Sequence, residues 1–253
     1  MSTRQKRTKQ KDDGVRSFVF SSVSFIVICA ALVFGMSVFF RVSNIEVTGA
    51  DRYTTEEIVA ASGIKDGDNL MFINRDAAAE RIYTKLIYIG EVTVRRKLPN
   101  TVVIEISESG AVAVMETDSG LWLIDRNCRL LEACKTQDAE TYIKVEGLSA
   151  VKPLEGETIG VSDEDKPKAT YLRGILNAFA DQGITADVDS LDLSNPISAQ
   201  VDYLDGRFIV KLGDSENMDY KMELLVSVVQ KLEAKDTGTI DLSQDKKAQF
   251  SPF

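Results

Sequence analysis

Residues 17–40 read SFVFSSVSFIVICAALVFGMSVFF and contain no Asp, Glu, Lys or Arg. At 1.5 Å per residue, about 20 apolar residues cross a hydrocarbon core about 30 Å thick. Because only helices and closed barrels satisfy backbone polar groups in lipid, a single span must be a helix. The sequence therefore predicts a membrane protein with a transmembrane helix at residues 17–40, a short tail at residues 1–16 and the rest of the chain beyond the membrane.

The charge on either side of this stretch predicts its orientation. Residues 1–16 carry six basic and two acidic side chains, a net charge of +4. Basic flanks stay in the cytoplasm, so we expect the N-terminus inside and residues 41–253 outside the cytoplasmic membrane. Those residues hold the other 24 basic (30 − 6) and 37 acidic (39 − 2) groups, a net charge of −13. This negative field disfavours nucleic acid as a partner.

A cleaved signal peptide is the competing interpretation of the apolar stretch. Signal peptides have an apolar core of about 7–15 residues followed by small residues at the cleavage site. Here the apolar core is longer, and Phe39, Phe40 and Arg41 follow it. These features favour an anchor that is retained.

The first 65 or so residues after the span predict a small α+β unit. Residues 42–49 alternate apolar and polar side chains, which is typical of a half-buried strand. Thr54 and Glu57 have the spacing of a capping box, which predicts a helix that ends at Gly63. Residues 75–86 predict a second helix, and two alternating stretches around Val94 and Ile104 predict two strands. The order is strand, helix, helix, strand, strand.

The second half of the chain predicts a mainly antiparallel sheet with flanking helices. Two short strands are expected at residues 112–117 and 121–125, and a helix begins near Pro167. Residues 199–212 have the pattern of a hairpin. A stripe of apolar residues predicts a further amphipathic helix, and a last strand is expected to begin at Ile240. The stripe comprises Met218, Met222, Leu225, Val229 and Leu232.

An ordered series of motifs gives the chain a recognisable family resemblance. The first part contains Ile45-x-Val47-x-Gly49, Gly63, Asn69-Leu70 and Val92-x-Val94-Arg95-Arg96-x-Leu98-Pro99-x-Thr101-Val102-x-Ile104. The last part contains Lys211-Leu212-Gly213, Ile240-Asp241-Leu242 and Phe250-x-Pro252. Together with the span, this order resembles the bacterial cell-division family FtsQ/DivIB over nearly the whole chain. It departs from the family at Asn127-Cys128, where relatives often have glycine, and at Ser243, where they usually have Arg.

The resemblance implies a domain organisation. Residues 41–109 would form a POTRA domain with the order βααββ, and residues 110–253 would form the extracytoplasmic β domain. It also implies a single-pass protein of the cytoplasmic membrane that is found at the division septum.

The resemblance further implies a non-enzymatic role in the divisome. The protein would stabilise or recruit the septal complex by binding FtsL-like and DivIC/FtsB-like membrane proteins, with no cofactor and no small-molecule substrate. In this family the partner docks at the end of the β domain, and an unpaired strand edge is a recurrent site for such docking. The partner-binding residues carried over to this chain are Ile240, Asp241, Leu242, Gln244, Lys246, Lys247, Ala248 and Phe250.

Two other classes of function compete with this role. One is a POTRA-bearing factor for polypeptide translocation or assembly. Outer-membrane versions of such factors carry several POTRA units and a barrel, neither of which is expected from this sequence. A membrane-anchored cell-wall enzyme is the other, because Ser-x-x-Lys occurs three times, starting at Ser62, Ser149 and Ser243. The further motifs that such enzymes need include Lys-Thr-Gly, which is absent, so we expect no catalytic residues.

Neither metal binding nor a disulfide is expected. The chain has no histidine, and its clustered Asp and Glu residues at 163–165, 187 and 189 lack the spacing of a calcium loop. We interpret these acidic residues as belonging to a helix N-terminus and a solvated loop. Cys128 and Cys134 are six residues apart, about 20 Å along a strand, and would bridge only if the chain folds back between them.

Overall fold

A computed structural model describes residues 9–195, 197–244 and 246–253, with side chains from residue 20 onward. Helix α1 (Lys9–Phe39) begins before the predicted span and ends one residue short of it. Its segment Phe20–Phe39 has a mean hydropathy of 2.4 and no residue buried within the protein. This segment is long and apolar enough to cross a bilayer. The start of the predicted basic tail, residues 1–8, lies outside the described residues.

The chain divides into two compact units, the first of which includes α1. The first comprises residues up to 81 together with 92–106, and the second comprises residues 82–91 and 107–253. The predicted domain boundaries at residues 41–109 and 110–253 remain a prediction.

The order strand, helix, helix, strand, strand is confirmed. The elements are β1 (Asn44–Thr48), α2 (Thr55–Ser62), α3 (Arg75–Lys85), β2 (Ile89–Lys97) and β3 (Thr101–Glu108). The three strands form one sheet in the order β1-β3-β2, with β1 parallel to β3.

The predicted start and end of α2 are both confirmed. The Thr54 hydroxyl accepts a hydrogen bond from the Glu57 backbone, and the Glu57 carboxylate accepts one from Thr54 N at 2.8 Å. This reciprocal pair lowers the pKa of Glu57 because the backbone hydrogen bond from Thr54 favours the carboxylate. Gly63 closes the helix with a φ of 71°, a left-handed conformation that favours glycine.

The second unit is built on a nine-stranded sheet. Its strands are β4 (Ala113–Thr117), β5 (Gly120–Ile124), β6 (Leu130–Ala133), β7 (Ile143–Ala150), β8 (Val188–Asp192), β9 (Ala199–Tyr203), β10 (Phe208–Gly213), β11 (Gly238–Asp241) and β12 (Gln249–Pro252). The spatial order is β12-β11-β10-β9-β8-β7-β4-β5-β6. Five of the eight neighbouring pairs are antiparallel, so the predicted mainly antiparallel sheet is confirmed.

Two helices pack together beside this sheet and complete its core. Helix α4 (Lys166–Gln182) has Pro167 in its first turn, as predicted, and α5 (Met218–Val229) carries the predicted apolar stripe. Leu232 of that stripe lies beyond the end of α5. The fully buried side chains of Phe179, Met222 and Phe208 belong to one continuous core formed by the helices and the sheet.

Several sequence-based expectations were wrong in detail. The last strand does not begin at Ile240, because β11 ends at Asp241 and a separate strand, β12, follows after a loop. Asp189 lies in β8 rather than in a solvated loop. At the family departure Asn127-Cys128, in the turn after β5, it is Cys128 that takes the left-handed conformation, with a φ of 61°.

The start of β6, at one edge of the large sheet, is covered by the chain itself. Leu130 N donates to the Glu157 carbonyl, and Gly156 N donates to the Leu130 carbonyl, both at 2.8 Å. Ile159 N donates to the Cys128 carbonyl at 2.9 Å. Residues 156–159 therefore occupy hydrogen-bonding groups that a foreign strand would otherwise use.

A fully buried arginine stabilises this covered edge. The Arg129 side chain stacks on the Tyr83 ring at 4.1 Å and is 0% exposed. Its guanidinium donates to four backbone carbonyls. They belong to Tyr83 (2.6 Å), Gly156 (2.6 Å), Ile87 (3.1 Å) and Ile89 (3.2 Å). These bonds compensate for the cost of burying the cation and connect segments far apart in sequence.

Candidate functional site

The opposite edge of the sheet is formed by β12. This strand pairs antiparallel with β11, with Ile240 opposite Phe250 and Asp241 opposite Gln249. Among the described residues, no strand lies on its other side. An edge of this kind presents main-chain groups that can pair with another chain.

The hydrogen-bonding direction of each β12 residue follows from the register. Phe253 N donates to the Thr237 carbonyl at 3.1 Å. Because the backbone N–H and C=O groups of successive residues in a strand point to alternate sides, those of Gln249 and Ser251 also point toward β11. The backbone groups of Phe250 and Pro252 therefore point away from the sheet. Since proline has no N–H, the outer side of β12 offers the Phe250 donor together with the carbonyls of both residues.

A glycine in β11 allows β12 to lie this close. A Cβ atom at Gly238 would be 2.3 Å from the Ser251 carbonyl oxygen and 2.9 Å from Pro252 Cα. Both contacts are with backbone, which cannot rotate away. A side chain at position 238 would therefore push β12 off the sheet.

Aromatic packing fixes β12 from the side-chain direction. The Phe250 ring is half-buried and meets Phe208 edge to face, with 6.2 Å between ring centroids and 77° between ring planes. The Arg207 guanidinium lies 4.6 Å from the centroid of the Phe208 ring and donates to the Asp236 carbonyl at 2.8 Å. The edge strand is thus anchored, while its outer main-chain groups stay accessible.

The predicted partner-binding residues differ in how far their side chains are exposed. Ile240 and Leu242 are 0% and 1% exposed and belong to the core, so their side chains are not available to a partner in this structure. Ala248 and Phe250 are half-buried and pack against the same core. Gln244, Lys246 and Lys247 are exposed in the loop between β11 and β12.

Asp241 helps to shape this loop. Its carboxylate accepts a hydrogen bond from Ser243 N at 2.9 Å. Hydrogen bonding from Ser243 lowers the pKa of Asp241, because it favours the charged carboxylate. The side chain therefore acts at the end of β11 and keeps its charge at neutral pH.

Sequence reasoning missed the residues that make up most of the edge strand. Gln249, Ser251 and Pro252 lie in β12, but none was predicted to contact a partner. One signal was present in the sequence. Gly238 begins a β-rich segment, and a glycine inside a strand often marks the close approach of another backbone.

The described residues contain no arrangement suited to metal binding, since no group of three or more His, Cys, Asp or Glu side chains converges there. The Ser62 hydroxyl of the first Ser-x-x-Lys pair donates to the Val59 carbonyl at 2.7 Å, at the end of α2. Cys128 and Cys134 are free thiols. The chemistry available at the β12 edge is main-chain hydrogen bonding, flanked by lysine charges.

Comparison with known families matches two consecutive parts of the chain. Residues 40–109 match the family described as POTRA domain, FtsQ-type. Residues 113–243 match the family described as cell division protein FtsQ/DivIB, C-terminal. The second match covers more than half of the chain and ends before β12.

Curated relatives are similar over most of their length. The chain is 27% identical to the cell division protein DivIB of Clostridium botulinum (strain Hall) over 250 residues, covering 97% of this chain and 93% of the relative. It is 26% identical to the cell division protein FtsQ of Corynebacterium glutamicum over 219 residues, covering 84% of this chain and 91% of the relative. The DivIB of Clostridium tetani is 24% identical over 208 residues, covering 81% of this chain and 77% of the relative.

Proposed function

The chain belongs to the FtsQ/DivIB family of cell-division proteins, and from this premise we propose that it acts by capturing divisome partners outside the cytoplasmic membrane. The partners would be FtsL-like and DivIC/FtsB-like membrane proteins. The protein would be a single-pass anchor with its N-terminus inside, as the +4 charge of residues 1–16 favours. It would act by binding rather than by catalysis.

The observation that carries this proposal is the open edge of β12. An extended segment of a partner can add to it as a tenth strand, with main-chain hydrogen bonds to Phe250 supplying affinity. The Phe250 side chain is held against Phe208, so the strand is ordered before the partner arrives. This preorganisation lowers the entropy cost of binding.

The lysines beside the edge favour an acidic partner segment. Lys246 and Lys247 are exposed immediately before β12. Lysines next to an edge strand disfavour pairing between two copies of the same edge and attract an acidic strand.

A pair of substitutions at one position tests strand addition. Phe250→Ala and Phe250→Pro both remove the ring, but only Phe250→Pro also removes the outward N–H. We expect Phe250→Pro to bind an FtsL-like and DivIC-like pair about tenfold more weakly than Phe250→Ala, because a partner carbonyl then lacks its donor. Affinity can be measured with the full chain in detergent micelles.

Equal affinity of the two variants would contradict strand addition at this edge. Thermal unfolding of each variant controls for loss of the fold. Depletion of the protein in cells tests the wider role, since a division protein should give filamentous cells.

A further inference from the structure

Two turns of the first unit carry large apolar side chains that face solvent. Phe72 is 85% exposed and Leu98 is 62% exposed. In the part of this unit that the structure describes beyond α1, they are the only large apolar side chains classed as exposed. Exposed apolar side chains of this size can contribute to an interaction surface.

The Phe72 turn is hydrogen-bonded to the end of the membrane-spanning segment. Leu70 N donates to the Phe40 carbonyl at 2.7 Å, and Val42 N donates to the Asp68 carbonyl at 2.8 Å. Within the turn, Phe72 N donates to the Asn69 carbonyl at 3.0 Å. The position of Phe72 is therefore fixed relative to the residue that follows α1.

The Leu98 turn is held to the same short segment from the other side. The Asn100 carbonyl accepts hydrogen bonds from Ser43 N at 3.0 Å and from Asn44 N at 3.3 Å. The Asn100 side chain also donates to the Ser43 hydroxyl at 2.6 Å. The Arg96 guanidinium joins the two turns by donating to the Ile73 carbonyl at 2.7 Å.

Simple distances place Phe72 within reach of the lipid headgroups, and Leu98 lies two residues before Asn100, whose carbonyl accepts from Ser43 N. The apolar span ends at Phe39, next to the residue whose carbonyl binds Leu70. Phe72 lies two residues further along, at most about 7 Å of extended chain. The headgroup layer is itself about 5–8 Å thick on each side of the bilayer.

The charges at the end of α1 and beside the Leu98 turn also suit a membrane surface. Arg41, Arg96 and Lys97 are exposed, and Lys97 pairs with Glu46 at 3.0 Å on the surface. Aromatic or aliphatic side chains flanked by basic residues are typical of segments that lie at the interface of a membrane with anionic lipids.

We propose that Phe72 and Leu98 insert into the boundary between headgroups and acyl chains of the leaflet from which α1 emerges. The first unit would then contact the membrane at two points besides the helix. These contacts would limit how far the unit can tilt or rotate about the end of α1. The proposal rests on the membrane anchoring in the proposed function, and it does not depend on partner capture.

Tryptophan fluorescence in vesicles tests this insertion. The full chain would carry Trp122→Phe as the parent, so that each variant holds one tryptophan at a chosen site. Phe72→Trp and Leu98→Trp are the test variants, in vesicles of phosphatidylethanolamine and phosphatidylglycerol. Lipids brominated near the headgroup end of the acyl chain should quench both by about twofold, since an interfacial tryptophan meets them directly.

Two matched variants make the result decisive. Thr48→Trp is exposed at the far end of β1, about 13 Å from Asn44 along the strand, and should keep its emission. Phe34→Trp lies in α1 and should be quenched by lipids brominated deep in the acyl chain. Quenching at positions 72 and 98 but not at 48 supports the proposal.

Two results would overturn the proposal, and they differ in meaning. If Phe34→Trp is quenched and Phe72→Trp is not, the anchor stands and the insertion is wrong. The apolar pair would then be available to a protein partner. If Phe34→Trp is not quenched, α1 does not span the bilayer, and the membrane anchoring fails together with this inference.

Discussion

The two edge strands of the nine-stranded sheet differ in whether their outer side is covered by the chain. At the start of β6, residues 156–159 hydrogen-bond to Leu130 and Cys128, and the buried Arg129 side chain donates to the surrounding carbonyls. At β12, the backbone of Phe250 points outward, and no described strand follows it. A covered edge excludes strand addition, whereas an uncovered one permits it. This difference favours the β12 edge over the β6 edge for the addition of a partner strand.

The largest effect is expected from removing the arginine of the covered edge. Arg129→Met would remove a fully buried guanidinium that donates to four backbone carbonyls, so we expect the free energy of unfolding to fall by roughly 4–5 kcal/mol. Denaturation of the full chain in detergent, followed by Trp122 fluorescence, measures this.

Arg207 at the β12 side provides the matched control. It is only half-buried and donates to the carbonyls of Asp236 and Glu233. Arg207→Met should cost about 1–2 kcal/mol, because water can replace these bonds. Equal losses for the two variants would show that the edges are not stabilised differently.

Cysteine labelling probes the same contrast. Burial, with the charge of Asp125 as the second cause, raises the pKa of Cys128 to about 12. At pH 8 its thiolate population should be about 10³-fold or more below that of an ordinary cysteine. We expect maleimide to modify Cys134, which is half-buried at the other end of β6, long before Cys128. Mass spectrometry of the digested peptides gives both rates, and rapid labelling of Cys128 would mean that the covering segment opens.

A substitution at Gly238 should loosen the open edge alone. Gly238→Ala places a Cβ against the backbone of Ser251 and Pro252, and we expect a loss of about 2 kcal/mol in the free energy of unfolding. Gly174→Ala is the control. Gly174 lies in α4 with open space around it, and alanine there should stabilise by about 0.5–1 kcal/mol. A neutral result at position 238 would argue that β12 is not held as described.

The smallest effect is expected from charge beside the open edge. Lys247→Glu should slow association with an acidic partner segment about threefold at low salt, and the difference should vanish at high salt. Lys144→Glu is the control, since Lys144 is exposed on β7, five strands and about 24 Å from β12. Stopped-flow binding measures both, and equal slowing would indicate a general field effect.

Local signals in the sequence were sufficient for much of the fold. The capping box at Thr54 and the hairpin of β9 and β10 depend on residues close together in the chain, and both were predicted correctly. The burial of Arg129 was not predictable in this way, because Tyr83 and Gly156 are 46 and 27 residues away. A single arginine between apolar residues gives no sign of such distant acceptors.

The candidate site was predicted only in outline. Lys246 and Lys247 are exposed, but they lie in a loop before β12 rather than in the last strand, and Ile240 lies in the core. Apolar alternation shows that a strand has a buried face, but it does not show which strand lies outermost. Because β12 has only four residues, alternation of apolar and polar side chains cannot reveal it. Pro252 is a further signal against a strand at this position.

Pro252 also has a consequence for how copies of this protein behave when crowded at one place. If two β12 strands met antiparallel with their Phe250 residues opposite each other, position 248 of each copy would face Pro252 of the other. Each end of that ladder would lack a donor, so identical edges would match poorly. A partner strand with a different sequence can avoid the missing donor at Pro252. The open edge should therefore pair more readily with a strand of another protein than with a second copy of β12.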